Sequence, residues 1–121
     1  MIGLGVDTVE VDRFRRVLQR TPGFAARVFT EDERRYAAEQ QDPTERLAVR
    51  FAAKEAVMKV LGVGIGSIRL SDIEVTRMAS GAPALLLHGT AAELAERRGV
   101  TRWWLSLTHT TSAATAVAVA E

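Results

Sequence analysis

The sequence predicts an α+β fold in which helices pack on a largely antiparallel sheet. Helical periodicity is concentrated in the first half of the 121-residue chain, whereas strand patterns fill the second half, apart from one opening strand. A βαβ repeat would instead alternate helices and strands along the whole chain. The length is that of one domain with a substantial core, so we expect a single domain over residues 1–121.

The first two elements are a short strand and a helix. Residues 2–6, IGLGV, have the composition of a strand that ends at Asp7. Beyond it Val11, Phe14 and Leu18 recur at helical spacing, which predicts an amphipathic helix.

Two short helices or turns are expected next. Thr21 is a candidate cap with Pro22 in the first turn, a position that proline tolerates. Thr30 and Glu33 have the spacing of a capping box, in which each side chain satisfies a backbone amide of the other residue.

The strongest helix signal lies over residues 43–61. Asp42 is the expected cap, Pro43 occupies the first helical position, and Glu45 follows the cap by three residues. The helix is predicted to stop at Gly62, because glycine adopts positive φ without a steric penalty.

The second half of the chain predicts a glycine-spaced loop, a hairpin, a helix and two final strands. In the final strand Thr115, Val117 and Val119 share one face and leave only alanines on the other, which leaves room for a subunit contact. The segments are GVGIGSIRL for the loop, DIEVT and ALLLH for the hairpin, residues 90–98 for the helix with Gly99 as its stop, and TRWWLSLTHT and SAATAVAVAE for the last two strands.

Composition excludes several functional classes. Sixteen basic residues face fifteen acidic ones, and this balance argues against a nucleic-acid or membrane-surface protein. The absence of cysteine removes disulfides, thiolate zinc sites and thiol nucleophiles, and fits a reducing compartment. The start MIGLGVDTVE lacks a signal-peptide pattern, and no window reaches the roughly 18 apolar residues of a membrane span. We therefore expect a soluble, cytoplasmic protein.

The segment RFAAKEAVMK places four charges in an otherwise apolar helix. Helical geometry puts Glu55 and Lys59 on one edge and Arg50 and Lys54 on another. One interpretation of the first edge is an ordinary i, i+4 ion pair, worth about 0.2 to 0.5 kcal/mol. The other is a site in which Glu55 binds a divalent cation and Lys59 holds a phosphate oxygen. The second interpretation requires another carboxylate nearby.

Asp7 is the best candidate for that second carboxylate. It follows an apolar strand whose Gly3 and Gly5 allow another backbone to come close. Magnesium commonly takes one or two protein carboxylates and leaves its other positions to water and phosphate. The alternative is that Asp7 is only a helix cap or a turn acid.

Four segments in this order make the chain resemble the holo-[acyl-carrier-protein] synthases, which are small phosphopantetheinyl transferases. They are GLGVDTVEVDRF, RFAAKEAVMKVLGVGIG, DIEVTRMASGAPAL and LSLTHTTSAATAVAVAE, and the similarity runs from about residue 2 to the C-terminus. The resemblance implies transfer of the 4'-phosphopantetheine arm of coenzyme A to a serine of apo acyl carrier protein. Adenosine 3',5'-bisphosphate would be released, and Mg²⁺ would be required.

The resemblance also implies roles for individual residues. Asp7 and Glu55 match the metal ligands of the family, and Lys59 matches its phosphate-binding lysine. Arg50 and His109 match positions at the coenzyme site. Gly62 ends the central helix and is expected to line the coenzyme channel together with the later loop glycines. The GVGIG spacing is neither a P-loop nor a dinucleotide fingerprint.

A homotrimer with active sites at its subunit interfaces is the assembly that the resemblance implies. The arginine-bearing first helix of the family meets the acidic helix of the carrier protein, which maps onto Arg13, with Arg16 and Arg20 on the same stripe. A solvated helix face is the alternative for the last two.

One departure concerns the histidine segment. Some members carry an acid after the histidine, where this chain has Thr110, so no carboxylate adjacent in sequence can pair with His109. Glu55, His109 and a metal-ordered water all remain candidates to accept the proton of the serine. A non-catalytic relative that binds a carrier protein or a metabolite, and a plain interaction domain, are the alternatives to a transferase.

Overall fold

The computed structural model describes residues 1–64 and 66–121 and has the predicted α+β fold. The glycine-spaced loop after Gly62 contains residue 65, which lies outside the described residues. The elements are β1 (Gly3–Glu10), α1 (Val11–Arg20), α2 (Phe24–Val28), α3 (Glu31–Ala37), α4 (Thr44–Leu61), a 3₁₀ turn (Leu70–Asp72), β2 (Ile73–Arg77), β3 (Pro83–Leu87), α5 (Gly89–Arg97), β4 (Trp103–His109) and β5 (Ala113–Ala120).

The strands form two antiparallel sheets. One has the order β1–β5–β4, so that the first strand of the chain pairs with the last. The other is the hairpin of β2 and β3, in which Ile73 lies opposite Leu87. The predicted antiparallel arrangement is confirmed, and β1 extends further than expected, through Asp7 to Glu10.

Helix α4 packs across the inner face of the three-stranded sheet and forms the centre of the core. The four inward-facing alanines of β5, Ala114, Ala116, Ala118 and Ala120, are completely buried. Two of them share a cluster with Ala52 and Ala56 of α4. Small side chains on both surfaces let the helix come close to the sheet. The expectation that the alanine face leaves room for a subunit contact is therefore wrong, because α4 of the same chain covers it.

Gly5 marks the closest approach of β1 to α4. A Cβ atom at Gly5 would collide with the backbone carbonyl oxygen of Ala56, and one at Gly3 would crowd Val60. The predicted role of these glycines is confirmed. Asp7 lies on the same side of β1, two residues beyond Gly5, and therefore faces α4.

Gly5→Ala should destabilise the protein by about 1 to 3 kcal/mol, because the added methyl group meets a backbone atom that cannot rotate away. Gly64→Ala is the matched control, since a Cβ atom there has no neighbour within 4 Å. Urea unfolding measures both variants. A Gly5→Ala protein as stable as the control would contradict this packing.

Helix ends agree with the sequence in part. The capping box of Thr30 and Glu33 is present, and Gly62 adopts positive φ at the end of α4, as predicted. Helix α4 begins at Thr44 with Pro43 as its N-cap residue, one position later than predicted. Asp42, just before the cap, accepts hydrogen bonds from the amide and hydroxyl of Thr44. These bonds, together with the bond from Arg15, lower the pKa of Asp42 to about 2. The prediction that Thr21 caps α2 is wrong, since that helix begins after Gly23, whose positive φ turns the chain.

The second charged edge of α4 lies inside the protein. Lys54 and Glu33 are both fully buried, with Lys54 Nζ 2.7 Å from Glu33 Oε1. The ammonium also donates to the carbonyl oxygens of Leu70 and Ile73. Lys54 therefore ties α4 to α3 and to the start of the hairpin.

One end of the outer face of the three-stranded sheet is apolar and exposed. Leu4 is 60% exposed, Val6 51% and Trp104 47%, while Trp103 packs against the core, as expected for neighbours on a strand. The partly buried Val117 and Val119 lie between these edge residues on the central strand. These side chains adjoin one another across the three strands, so they form a continuous patch rather than isolated apolar residues.

Candidate functional site

Two carboxylates come together where β1 crosses α4. Asp7 points from the inner face of the strand toward the half-buried Glu55, and both line the same cleft. Burial raises the pKa of Glu55, the negative charge of Asp7 raises it further, and Lys59 partly opposes the effect. The site therefore concentrates negative charge in partly desolvated surroundings, which a cation would relieve.

Lys59 contacts Asp7 rather than Glu55. Its Nζ lies 3.2 Å from Asp7 Oδ1 and 2.8 Å from the carbonyl oxygen of Val6. Within the described residues, no Glu55–Lys59 ion pair forms within 4.0 Å, so the ordinary i, i+4 pair is not the arrangement found. The Lys59 side chain is 57% exposed, which leaves its ammonium accessible to an anion in the cleft.

The carboxylate cleft, as we call this site, has a volume of about 470 Å³. Phe14, Phe24 and Phe51 line its apolar wall, with ring centroids 5.2 to 6.1 Å apart. Arg13 of α1 lies at the same cleft. The other charged lining residues are Asp7, Glu10 and Glu55, and Lys59 lies beside Asp7. An aromatic wall next to acidic and basic side chains suits a ligand that has both an apolar and an anionic part.

Arg50 and His109 lie in a second cleft of about 490 Å³, which we call the arginine cleft. Arg50 is only 5% exposed, and its Nε has no hydrogen-bond partner among the described residues. His109 Nδ1 lies 3.1 Å from Oε1 of Glu45 at the start of α4. In a single chain, therefore, the predicted site residues fall into two separate groups.

The carboxylate partner of His109 was missed by sequence reasoning. The sequence excludes a neighbouring acid because residue 110 is threonine, but Glu45 is supplied from 64 positions away. The spacing that assigned Glu45 to a capping box gave no signal of this contact. Tyr36, Arg46 and Arg77, which also line the arginine cleft, were missed for the same reason.

The remaining predicted residues lie at the edges of these sites. Gly62 directly follows α4 and donates its amide to the carbonyl oxygen of Lys59 at 3.2 Å. The three arginines of α1 that share one stripe are all exposed: Arg13, Arg16 and Arg20. Arg15, on another side of the helix, instead binds Asp12 and Asp42.

The donor set at the carboxylate cleft fits magnesium. Among the described residues there is no group of three or more potential metal-binding side chains, so Asp7 and Glu55 stand as a pair. Hard carboxylate oxygens are the ligands that Mg²⁺ prefers, and two of them leave positions for water and phosphate. Burial among like charges also favours a cation there, as the raised pKa of Glu55 indicates.

Two acids and a neighbouring lysine are the side chains with which enzymes bind Mg²⁺ and phosphate when they transfer a phosphate-linked substituent. This α+β fold brings such side chains together at one cleft. A sequence profile of the 4'-phosphopantetheinyl transferase superfamily matches residues 3–118. The holo-[acyl-carrier-protein] synthase of Frankia alni is 50% identical over 121 residues, which are 100% of this chain and 98% of the relative.

Solved structures agree with this comparison. The holo-[acyl-carrier-protein] synthase of Neisseria meningitidis superposes with a TM-score of 0.88 at 34% identity, covering 100% of this chain and 99% of the other. A holo-(acyl-carrier-protein) synthase of Bacillus anthracis in complex with CoA (3',5'-ADP) gives 0.81 at 34% identity, covering 98% and 95%.

The chain belongs to the 4'-phosphopantetheinyl transferase superfamily, within the group of holo-[acyl-carrier-protein] synthases. The protein is therefore an enzyme, a phosphopantetheinyl transferase. No helix in the described part of the chain has the length and apolar character needed to cross a membrane.

Proposed function

We propose that this protein transfers the 4'-phosphopantetheine group of coenzyme A to a serine of apo acyl carrier protein in a Mg²⁺-dependent reaction. The observation that carries the proposal is the meeting of Asp7 and Glu55 in one cleft, with Lys59 beside them. The relatives supply the substrate class, since one is solved with CoA (3',5'-ADP).

Asp7 and Glu55 would hold the magnesium ion. When bound, the ion would neutralise charge on the diphosphate oxygens of coenzyme A. The close approach at Gly5 supports this assignment, because it fixes the strand that carries Asp7 against the helix that carries Glu55.

Lys59 would bind the β-phosphate of coenzyme A, whose phosphorus is the reacting atom. The serine hydroxyl forms a new bond to the β-phosphorus, the bond from that phosphorus to the bridging oxygen breaks, and adenosine 3',5'-bisphosphate leaves. Positive charge on the exposed Lys59 ammonium stabilises the negative charge that develops on these oxygens.

His109 and Glu55 stay candidates for accepting the proton of the serine, together with a metal-ordered water. In one chain His109 lines the arginine cleft, with Glu45 orienting its ring, while Glu55 lines the carboxylate cleft. His109 would therefore meet the reacting serine only if a neighbouring subunit brought the two clefts together.

A homotrimer would bring the carboxylate cleft of one subunit to the arginine cleft of another, and we propose this assembly. The exposed apolar patch on the three-stranded sheet supports the trimer, because an interface there would bury Leu4, Val6 and Trp104 away from water. Coenzyme A would then contact Lys59 and Gly62 of one subunit and Arg50 and His109 of another.

Sedimentation equilibrium should accordingly give three times the mass of one chain. Val6→Lys places a charge in the proposed interface and should shift the species toward monomer, whereas Glu96→Lys on the exposed surface of α5 should not. A native protein that stays monomeric at micromolar concentration would contradict the trimer.

Arg13, Arg16 and Arg20 would receive the carrier protein. They are exposed on one helix, and Arg13 reaches the carboxylate cleft, so an acidic partner bound there would lie next to the reacting groups. Electrostatic complementarity of this kind chiefly raises the rate of association.

Arg13→Gln should raise the KM for an acidic apo carrier protein by several-fold and weaken the dependence of that KM on salt. Arg35→Gln is the matched control, because Arg35 is an exposed arginine whose ion pairs are to Glu31 and Asp32 of its own helix. A carrier affinity that does not change between low and high salt would contradict this contact.

The proposed function is tested by the release of adenosine 3',5'-bisphosphate, measured by chromatography. Release should require coenzyme A, apo carrier protein and Mg²⁺ together. A non-catalytic relative would bind these molecules and release nothing, so binding without product would favour that alternative. We further propose a cytoplasmic enzyme that serves fatty acid or related acyl-chain synthesis, in keeping with an acyl carrier protein as substrate.

A further inference from the structure

Lys54 connects α4 to three other elements through buried hydrogen bonds. A lysine ammonium has three N–H donors. Those of Lys54 meet Glu33 Oε1 of α3 at 2.7 Å, the carbonyl oxygen of Leu70 in the 3₁₀ turn at 3.0 Å, and the carbonyl oxygen of Ile73 at the start of β2. The side chain is fully buried. Each donor of Lys54 is therefore directed at an atom of a different element.

Glu33, the counter-charge of Lys54, is itself held on both oxygens. Its Oε1 also accepts from the amide of Thr30 at 2.9 Å, and its Oε2 accepts from the amide of Val75 at 2.9 Å. The Thr30 hydroxyl donates in turn to Glu74 at 2.9 Å. A buried polar network whose members are hydrogen-bonded is rigid and specifies one arrangement. Lys54 is thus bound to a carboxylate that is fixed in place.

The surface on which α4 packs gives less directional information. Ala52 and Ala56 of the helix share a core cluster with Ala116 and Ala118 of β5. Helices are commonly aligned by the side chains of one element that fit between those of another, and methyl groups form only shallow ridges. The alanine contact allows a close approach of α4 to the sheet, but it does little to fix the rotation of the helix about its axis.

The rotation of α4 decides which way Glu55 points. Consecutive residues of an α-helix are about 100° apart, so the direction of Lys54 sets that of its neighbour Glu55. With Lys54 directed at α3 and the hairpin, Glu55 lies in the carboxylate cleft with Asp7. Lys59, one turn further along, reaches Asp7 Oδ1 at 3.2 Å. A rotation of α4 would move both Glu55 and Lys59 relative to Asp7.

We propose that Lys54 is a positioning residue: its bonds to Glu33 and to the two carbonyl oxygens set the rotation of α4 at which Glu55 meets Asp7. A buried ion pair often adds little net stability compared with well-packed apolar side chains, but it can select one arrangement among several. The role of Glu55 as a metal ligand rests on the proposed function, whereas the fixed rotation of α4 does not.

The double variant Glu33→Gln, Lys54→Met separates position from stability. Gln keeps an acceptor for the capping box with Thr30, and Met fills the space of the lysine stem without a charge, so the full chain should fold and melt cooperatively. Mg²⁺ binding, measured by calorimetry, should nonetheless weaken by about tenfold. In turnover kcat should fall by about tenfold. The KM for apo carrier protein should stay unchanged, because the carrier contacts proposed for α1 lie outside the network.

A crystal structure of the double variant without metal tests the rotation itself. The contact between Lys59 Nζ and Asp7 Oδ1, which is 3.2 Å in the native protein, should be lost as α4 turns. The matched control is Glu31→Gln, Arg35→Gln, which removes an ion pair of α3 whose side chains are 77% and 66% exposed. The control should keep both the native Mg²⁺ affinity and the Lys59–Asp7 contact.

If the double variant does not fold, Glu33→Asp carries the test alone. It keeps both charges but draws the carboxylate back by one methylene, and it should weaken Mg²⁺ binding and lower kcat in the same direction. A folded variant that keeps either the native Mg²⁺ affinity or the Lys59–Asp7 contact would overturn the proposal. Native protein that binds Mg²⁺ and never transfers would instead refute the proposed function and leave the positioning role standing. If the native protein neither binds Mg²⁺ nor transfers, the proposed function fails and the crystal structure alone decides the role of Lys54.

Discussion

Glu55→Gln should abolish transfer to apo carrier protein while the fold stays intact. The substitution keeps the size of the side chain and removes one of the two charged oxygen ligands expected for Mg²⁺. Transfer should fall at least a hundredfold, and excess Mg²⁺ should not restore it. Mass spectrometry of the carrier protein measures the product, and Glu96→Gln, at an exposed position on α5, is the matched control.

Stability measurements separate a site effect from a folding defect. The pKa of Glu55 is raised by burial and by Asp7, so its carboxylate destabilises the metal-free native protein once the pH is high enough to ionise it. The stability contributed by the protonated form is present at low pH and is lost as pH rises through the raised pKa. Glu55→Gln should therefore be at least as stable as the native protein at neutral pH.

Added Mg²⁺ should raise the melting temperature of the native protein and leave that of Glu55→Gln unchanged. If Glu55→Gln gained the same thermal stability from Mg²⁺ and transferred at the native rate, Glu55 would not be a ligand of the metal ion.

Lys54→Met should destabilise the protein by about 3 to 5 kcal/mol, because it leaves the carboxylate of Glu33 buried without its counter-charge. Leu70 and Ile73 would also lose the donor to their carbonyl oxygens. Urea unfolding monitored by circular dichroism gives the difference in the free energy of unfolding.

Lys59→Met is the matched control, since it is the same change five residues later on α4, at a side chain that is 57% exposed. It should change stability by less than about 1 kcal/mol. The double variant Glu33→Gln, Lys54→Met should recover much of the loss, because no unpaired buried charge remains. A Lys54→Met protein that is no less stable than Lys59→Met would contradict the buried ion pair.

Local chemistry predicted most of the fold. The capping box at Thr30, the stop at Gly62 and the hairpin that begins at Ile73 each depend on residues close in sequence, and each was correct. Where a prediction failed, as at Thr21, a glycine with positive φ two residues later determined the start of the helix.

Contacts between distant residues were beyond the reach of periodicity. Spacing put Arg50 and Lys54 on a charged edge of α4, but the partner that lets Lys54 be buried, Glu33, lies 21 positions earlier. The alanines of β5 are a similar case, because one face of small residues suits a helix of the same chain as well as a second subunit.

The candidate site, like the fold, was predictable where residues close in sequence determine it and not where distant residues meet. Gly5 gave a physical reason to bring Asp7 to α4, and the structure has that approach. Helix spacing left Glu55 and Lys59 open between an ion pair and a metal and phosphate site. The family resemblance favoured the second, and the assignment stays a proposal. The contact of Glu45 with His109 carried no local signal at all.

The most direct test of the account is the mass of the carrier protein itself. Apo acyl carrier protein incubated with this enzyme, coenzyme A and Mg²⁺ should gain the mass of one phosphopantetheine group, and peptide mapping should locate it on a serine. Chelation of Mg²⁺ before the reaction should prevent the gain. A set of apo carrier proteins that all stay unmodified, in the presence of folded enzyme and both other components, would contradict the central claim.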